Sequence, residues 1–380
     1  MNDTPARTAA AWPKPLPVPE SMRAIVFRRF GPPDVLEQAM LDTPRPGPGE
    51  VLVQVAAVSI GRLLDLRARA GHHPYAQFRL PHVLGADHAG VVAEIGDGVD
   101  SVRLGDQVAV FPVVTCGACA MCAEGREEGC ASLSLIGTHR QGAYAQYCVA
   151  PARNVHRVPE GITPAVAASL ALNGAVAANQ LTQAGLRPGH WVLVQGAASA
   201  LGSATAALAR HQGARVIATS RSPEKRKTMA AAGAEVVLDA TAPDFAAQVR
   251  EATNGHGADI VVDNLGDPTV WNATIDALAR GGTVVTSGAF LGGKVQLDLL
   301  RLYSNCQRVI GVRTGNPAAV DELWTQVEHG FRAVLDRTFP IARAADAHRY
   351  LEEDSNVGRV ALTVRPEDWE QWGISFGTSD

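Results

Sequence analysis

Apolar positions along the chain change rhythm near residue 175, and the change separates two regions of different architecture. Upstream, MRAIVFRRFG from Met22 and EVLVQVAAVSI from Glu50 alternate as short strands do, and the proline-laden TPRPGPGE between them reads as a connector. VLGADHAGVVAEIG, GDQVAVFPVV and GAYAQYCVAPARNVHRVPEG add further short strands, so an irregular β-rich domain is expected here. Downstream the apolar runs become nearly continuous: WVLVQGA (191–197), ARVIATS (214–220), AEVVLDA (234–240), ADIVVDNLG (258–266), GTVVTSGAF (282–290) and QRVIGVR (307–313). Helical stretches separate them, starting at Ala200 and Pro223 and then covering FAAQVREAT, WNATIDALAR and LDLLRLYSN. Unbroken apolar strands suit a parallel sheet covered on both faces, and six β-units in strict alternation with helices predict a doubly wound, Rossmann-type sheet.

Beyond Arg313 come an amphipathic helix (AVDELWTQVEHGFRAVL), a second helix (ADAHRYLEED) and a strand (GRVALTV). A completed six-stranded sheet has no place for them, so they are expected to return to the N-terminal β region. The expected division is therefore a catalytic-type β domain over 22–174 and 314–380, and a nucleotide-binding α/β domain over 175–313. Residues 1–21, rich in Pro and Ala, read as a flexible leader, and the tail DWEQWGISFGTSD receives no role.

A chain of 380 residues exceeds what one hydrophobic core organises, in keeping with two domains. The formal charge of −4 leaves no basic excess for a nucleic-acid surface. No apolar run reaches the roughly 18–20 residues of a membrane span. The N-terminus lacks a cationic start followed by an apolar stretch, so a cytoplasmic protein is expected.

The candidate chemistry lies in two places. The turn after the first α/β strand reads GAASALG, with Gly196 and Gly202 kept and Ser199 and Ala200 near its middle. Small residues between a buried strand and a helix let a pyrophosphate sit on the helix N-terminus, which points to Ser199, Ala200, Leu201 and Gly202. The second strand ends in Thr219-Ser220-Arg221-Ser222, with Lys225 one turn into the next helix. An NAD site places a carboxylate at that strand end to accept from the ribose 2′-hydroxyl; hydroxyls and an arginine suit a 2′-phosphate, so NADPH is expected, bound by Ser220, Arg221 and Lys225. A merely solvated helix start is the plainer alternative. The second place is the run CGACAMCAEGREEGC, which brings Cys116, Cys119, Cys122 and Cys130 into one loop of about 114–132. A disulfide knot is disfavoured in a reducing compartment, and an iron–sulfur cluster is the other alternative; four thiolates at this spacing fit one tetrahedral zinc. With four protein ligands such a site is closed and holds a lobe in shape without taking part in catalysis.

The β-rich domain, the segment GVVAEIGDGVDSVRLGDQVAV, the four-cysteine lobe and GAASALG together resemble the medium-chain dehydrogenase/reductase superfamily over residues 22 to about 365. The resemblance implies a GroES-like catalytic domain plus a Rossmann domain, with substrate and nicotinamide meeting between them, in a homodimer or homotetramer. It also implies contacts to the cofactor from Leu265 and Gly266 after the fourth strand and from Gly288, Ala289 and Phe290 after the fifth, with Arg313 and Asn173 near the nicotinamide end. Zinc alcohol dehydrogenases of that superfamily carry a second, catalytic zinc, and this chain departs at each ligand position. The first falls at Gly61 or Arg62, with no Cys or His in 55–70; the Gly-His-Glu motif becomes Gly85-Ala86-Asp87; the third falls near Leu172-Asn173. The departure resembles the zinc-independent quinone oxidoreductases and enone reductases, as does Leu172-Asn173-Gly174. The expected activity is hydride transfer from NADPH to an activated double bond or a quinone. Its rivals are a metal-independent alcohol dehydrogenase or carbonyl reductase, and a nucleotide-binding relative with little turnover. Arg62, Asp65, His88, Tyr75 and Asn173 are the candidate substrate donors, none with a signature of its own; Arg62 and Asp65 could equally pair on one helix.

Overall fold

The computed structural model describes residues 11–369. Six parallel strands form the α/β sheet, in spatial order Val236–Leu238, Arg215–Thr219, Trp191–Val194, Ala258–Val262, Leu278–Thr286 and Arg308–Gly311. In chain order that is third, second, first, fourth, fifth, sixth, the doubly wound order with its switch point between the first and fourth strands. The unbroken apolar runs are explained by what covers them. Leu193, Ile217, Val261 and Val284 enter one core with Phe245, Trp271 and Ile275, while Val192, Val194, Val216, Ile260 and Val285 enter another on the opposite face. Successive strand residues point to opposite faces, so a sheet buried twice needs apolar residues at both parities.

The remaining strands build a β domain. One sheet runs Val155–Arg157, Gln107–Val110, Asp87–Ile95, Glu50–Ser59, Arg359–Thr363 and Leu335–Pro340, with Tyr147–Pro151 also paired to Glu50–Ser59. A three-stranded sheet orders Leu36–Asp42, Ser21–Phe27 and His82–Val83. The segment GRVALTV does return to this domain: Ala361 pairs with Ser59 and Thr363 with Ala57.

Three expectations are corrected. The amphipathic helix expected to run to Leu335 stops at Glu328, and Leu335–Pro340 is a strand parallel to Arg359–Thr363. The helix Pro317–Glu328 packs against Asn173–Ala184, which packs in turn on the Rossmann helix Ala200–His211, so it does not join the β domain as expected. Gly174 allows this approach, because a Cβ there would lie 2.7 Å from a Leu323 methyl. Within the expected leader, residues 11–20 are tied to the body: the Trp12 indole donates to the Ile162 carbonyl at 2.9 Å and the Leu16 amide to Gln54 Oε1 at 3.2 Å. Residues 1–10 and most of the C-terminal tail lie outside the described residues.

One apolar core crosses from domain to domain. Ala57, Leu64, Ala86 and Ala89 of the β domain share it with the alanine-rich helices Pro164–Leu170 and Asn173–Ala184 and with Val192 and Val194 of the Rossmann sheet. Small side chains keep these layers close. No helix among the described residues is long and apolar enough to cross a membrane.

A very close backbone approach in the β sheet is at Gly90, opposite Val55, where a Cβ would fall far inside van der Waals contact distance of the Gln54 carbonyl oxygen. Gly90→Ala is expected to destabilise the fold by about 3 kcal/mol or more, read as a lowered urea midpoint at unchanged slope.

Candidate active-site cleft

Three strand ends meet between the domains. Ser59 closes its strand between Asp87 and Ala361 on the two neighbours. The chain then turns at Gly61 into the helical segment Arg62–Arg67. At this junction Arg359 forms an ion pair with Asp87 and donates from Nη1 to the Ile60 carbonyl at 3.2 Å. Both side chains are buried, with 5% and 3% of their surface exposed. Asp65 lies beside them. Its two oxygens accept from the amides of Gly61 at 2.6 Å and Gly85 at 3.0 Å, so one carboxylate joins two of the loops where the superfamily's catalytic ligands would fall. Burial raises the Asp65 pKa to about 6 against the pull of those amides and of Arg359, and burial lowers that of Arg359 to about 10.

The expected donors are placed very differently. His88 is fully buried in the sheet, with Nδ1 2.9 Å from the Ala86 carbonyl and no partner at Nε2; burial lowers its pKa to about 4. Donor roles at His88 and Asp65 are therefore corrected: both are interior groups, one a neutral core imidazole and the other a backbone clamp. Tyr75 is 61% exposed and meets the edge of His73. Asn173 begins the helix Asn173–Ala184. Arg62 does not pair with Asp65; it pairs with Asp354 at 2.6 Å and donates to Asn356 at 3.1 Å.

The glycine turn is built as a nucleotide cradle requires. Gly196 has φ +62°, and a Cβ on Gly202 would meet the Gly196 carbonyl oxygen at 2.5 Å. Ser199 caps the helix Ala200–His211 by accepting the Gly202 amide at 3.1 Å, so its hydroxyl serves the turn itself. Leu265 packs its side chain over Gly196, and the amides of Leu265 and Gly266 both donate to buried Asp263. The Gly288 carbonyl accepts from Thr286, and Ala289 lies next to Gly266. Phe290 reaches across the cleft, its ring 4.2 Å from the Arg67 guanidinium. At the second strand end the Ser220 hydroxyl accepts the Ser222 amide, Arg221 is exposed, and Lys225 lies 3.2 Å from Asp354. Arg226 escaped the sequence reading: its guanidinium holds the Ser220 and Arg221 carbonyls and Asp239, fixing this turn. Adjacent basic residues in RSPEKRK gave no means of telling it from the rest.

The four cysteines converge. Their Sγ atoms lie within 4.8 Å of one another, with 3.5 Å between Cys116 and Cys130, 3.5 Å between Cys119 and Cys122, and 3.9 Å between Cys116 and Cys122. A tetrahedron of Zn–S bonds near 2.3 Å has edges of about 3.8 Å, so the thiols fit one zinc. No other group of three or more His, Cys, Asp or Glu among the described residues is arranged to hold an ion. Arg313 donates to the Cys130 carbonyl at 3.2 Å and Asn316 to Glu128 at 3.0 Å, so the last Rossmann strand docks onto this lobe. The guanidinium expected near the nicotinamide is thus committed to the lobe. Cys148 is packed in the sheet, whereas Cys306 is exposed in a left-handed turn (φ +52°).

A family model described as a zinc-binding dehydrogenase matches residues 200–329, and one described as an alcohol dehydrogenase GroES-like domain matches residues 47–160. L-galactonate-5-dehydrogenase of Escherichia coli is 32% identical over 310 residues, covering 81% of this chain and 89% of that protein. An NAD-dependent alcohol dehydrogenase of known structure is similar at TM-score 0.82 and 36% identity, over 90% of this chain and all of that one. A mycobacterial quinone oxidoreductase is similar at TM-score 0.74 and 31% identity, over 90% of this chain and 100% of that one.

Two outcomes follow from this geometry. Cys122→Ser removes a buried thiol from the cysteine cluster, so metal analysis should find less zinc per chain than in the parent, together with a lower melting temperature. His88 bears on acid stability. Its folded pKa lies below its unfolded value of 6.5, so the unfolded chain takes up a proton that the folded state refuses. Stability is therefore lost as pH falls through that window, by up to about 3 kcal/mol. Urea denaturation from about pH 7 to about pH 4 should show a shallower loss in His88→Leu than in the parent.

Proposed function

The chain belongs to the medium-chain dehydrogenase/reductase superfamily, and from that premise we propose that it is an NADPH-dependent reductase delivering hydride to an activated carbon–carbon double bond or a quinone, without a catalytic zinc. The observation that carries this reading is the ion pair of Asp87 with Arg359. Among the positions where the superfamily's catalytic ligands fall, Asp87 alone has a side chain suited to zinc, and its carboxylate is buried against a guanidinium. Gly61, Ala86 and Leu172 have nothing to offer an ion, and a Lewis-acid zinc needs three protein ligands and an open position.

The proposed chemistry follows from the acceptor. Hydride addition to an isolated ketone concentrates charge on one oxygen, which calls for a strong electrophile; addition to an enone or quinone spreads that charge through a conjugated system. When bound, NADPH supplies the hydride. The protein's share is to hold the nucleotide along the turn 196–202, to meet its 2′-phosphate with Ser220, Arg221 and Lys225, and to bring the substrate between the strand junction at Gly61 and the helix start at Asn173. The zinc of the cysteine lobe shapes the domain and takes no part in hydride transfer. A second reading is favoured by the alcohol dehydrogenases among the relatives: a metal-independent alcohol dehydrogenase, with a side chain or water donating to the oxygen.

The test is a panel of enones, quinones, ketones and alcohols, followed by the absorbance of the reduced nicotinamide with each cofactor. Consumption of NADPH in preference to NADH with enones or quinones is expected, in protein holding one zinc per chain. Turnover of alcohols dependent on a second zinc would overturn the reading.

A further inference from the structure

Between the helix Ala344–Glu352 and the strand Arg359–Thr363 the chain crosses the cofactor groove as a short loop, residues 353–358. Its contacts alternate between the domains. The Gly358 amide donates to the Ala198 carbonyl of the glycine turn at 3.1 Å. Asn356 accepts from Arg62 of the β domain at 3.1 Å. Asp354 does both at once: the same oxygen, Oδ1, lies 2.6 Å from Arg62 and 3.2 Å from Lys225 of the Rossmann domain.

Asp354 has features of an anion placed for this purpose. Its backbone is left-handed at φ +53°, a conformation that short polar residues adopt most readily after glycine. Its side chain is 70% exposed, whereas Lys225 is only 14% exposed and Arg62 30%, so the acid lies over two sheltered cations on opposite walls. Two cations facing each other beside a glycine turn form a receptor for phosphate oxygens. A carboxylate is the protein group that most nearly imitates one.

Resting on the reading of this groove as a nucleotide site, we propose that Asp354 is a resident substitute for a cofactor phosphate. It satisfies Arg62 and Lys225 while the groove is empty and gives way when the nucleotide's phosphates claim them. The pair then has two uses. In the empty chain it neutralises facing positive charges and bridges the domains through one carboxylate. On binding it sets a competition that lowers cofactor affinity, because each arriving phosphate must displace a local anion.

The test is equilibrium binding of NADPH and NADP⁺, by quenching of intrinsic fluorescence, to the full-length parent and to Asp354→Asn and Asp354→Gly. Both replacements tolerate the left-handed backbone and remove the charge. Each should bind more tightly than the parent, by about threefold to tenfold, with on-rates less affected than off-rates. Arg62→Gln and Lys225→Gln should each weaken binding, and in either background Asp354→Asn should bring a smaller gain than in the parent. Equal or weaker binding by both Asp354 variants, with the parent still binding nucleotide, would overturn the proposal and make the loop a plain latch. Absence of nucleotide binding by parent and variants alike would instead overturn the functional reading beneath it.

Discussion

The architecture of the cleft depends on one buried guanidinium. Arg359 begins the last strand of the β domain and is shared by Asp87, the Ile60 carbonyl and the field of Asp65. Two carboxylates near one cation in the interior would be unfavourable if either were unsupported, and Asp65 is supported by two backbone amides. Buried ion pairs give little stability beyond what apolar residues of equal volume would provide, yet removing one partner costs about 3–5 kcal/mol. Such a pair is more informative about position than about stability. It fastens the turn at Gly61, the strand at Asp87 and the C-terminal strand to a single point, and that point is the floor of the cleft.

From that floor the chain leads directly to the nucleotide groove. The residue before Arg359 is Gly358, whose amide reaches the glycine turn, and four residues earlier stands Asp354 between Arg62 and Lys225. The buried pair therefore anchors one end of the loop that spans the two domains. The other walls are held with similar economy: Asn264 accepts from Gln180 and from the Ser287 amide, Asp263 accepts two amides of the following turn, and Arg226 caps the second strand. These groups shape the groove through the backbone, which leaves few side chains free to mark the site in the primary sequence.

That economy accounts for what the sequence disclosed and what it withheld. All six Rossmann strands were legible because burial on both faces writes itself as an unbroken apolar run, and the alternation with helices marked a doubly wound sheet. The cysteine lobe was legible because four thiols must be close in sequence to meet in so short a loop. The strand Leu335–Pro340 was not: LDRTFP carries exposed Arg337 and Thr338 in its middle, and Gly330, which ends the helix before it with a positive φ, stands inside an apolar periodicity that runs on to Leu335. The partners of Arg62 and Asp87 were hidden for a different reason. Asp354 and Arg359 lie almost 300 residues from Arg62 and nearly as far from Asp87, and a lone arginine before VALTV has no local signature. Proximity in sequence suggested Arg62 with Asp65, the pair that the fold declines to make.

The cysteine lobe shows why a metal's coordination and its influence should be judged separately. Four thiolates on one ion would close its coordination sphere and leave no position to lend to a substrate. The lobe is nonetheless joined to the cofactor domain by Arg313 at the Cys130 carbonyl and by Asn316 at Glu128, and Asn316 also caps the helix Pro317–Glu328. Its own base is tied inward, with Thr115 joined to Glu127 and to Arg153. A metal that orders this loop thereby orders the surface on which the sixth Rossmann strand ends. The β domain thus meets the nucleotide domain at two separate anchors, the lobe at one side and the loop 353–358 at the other, with the shared alanine-rich core between them. Two anchors resist rotation in a way that a single one does not, so the facing walls of the cleft are held in place from both sides.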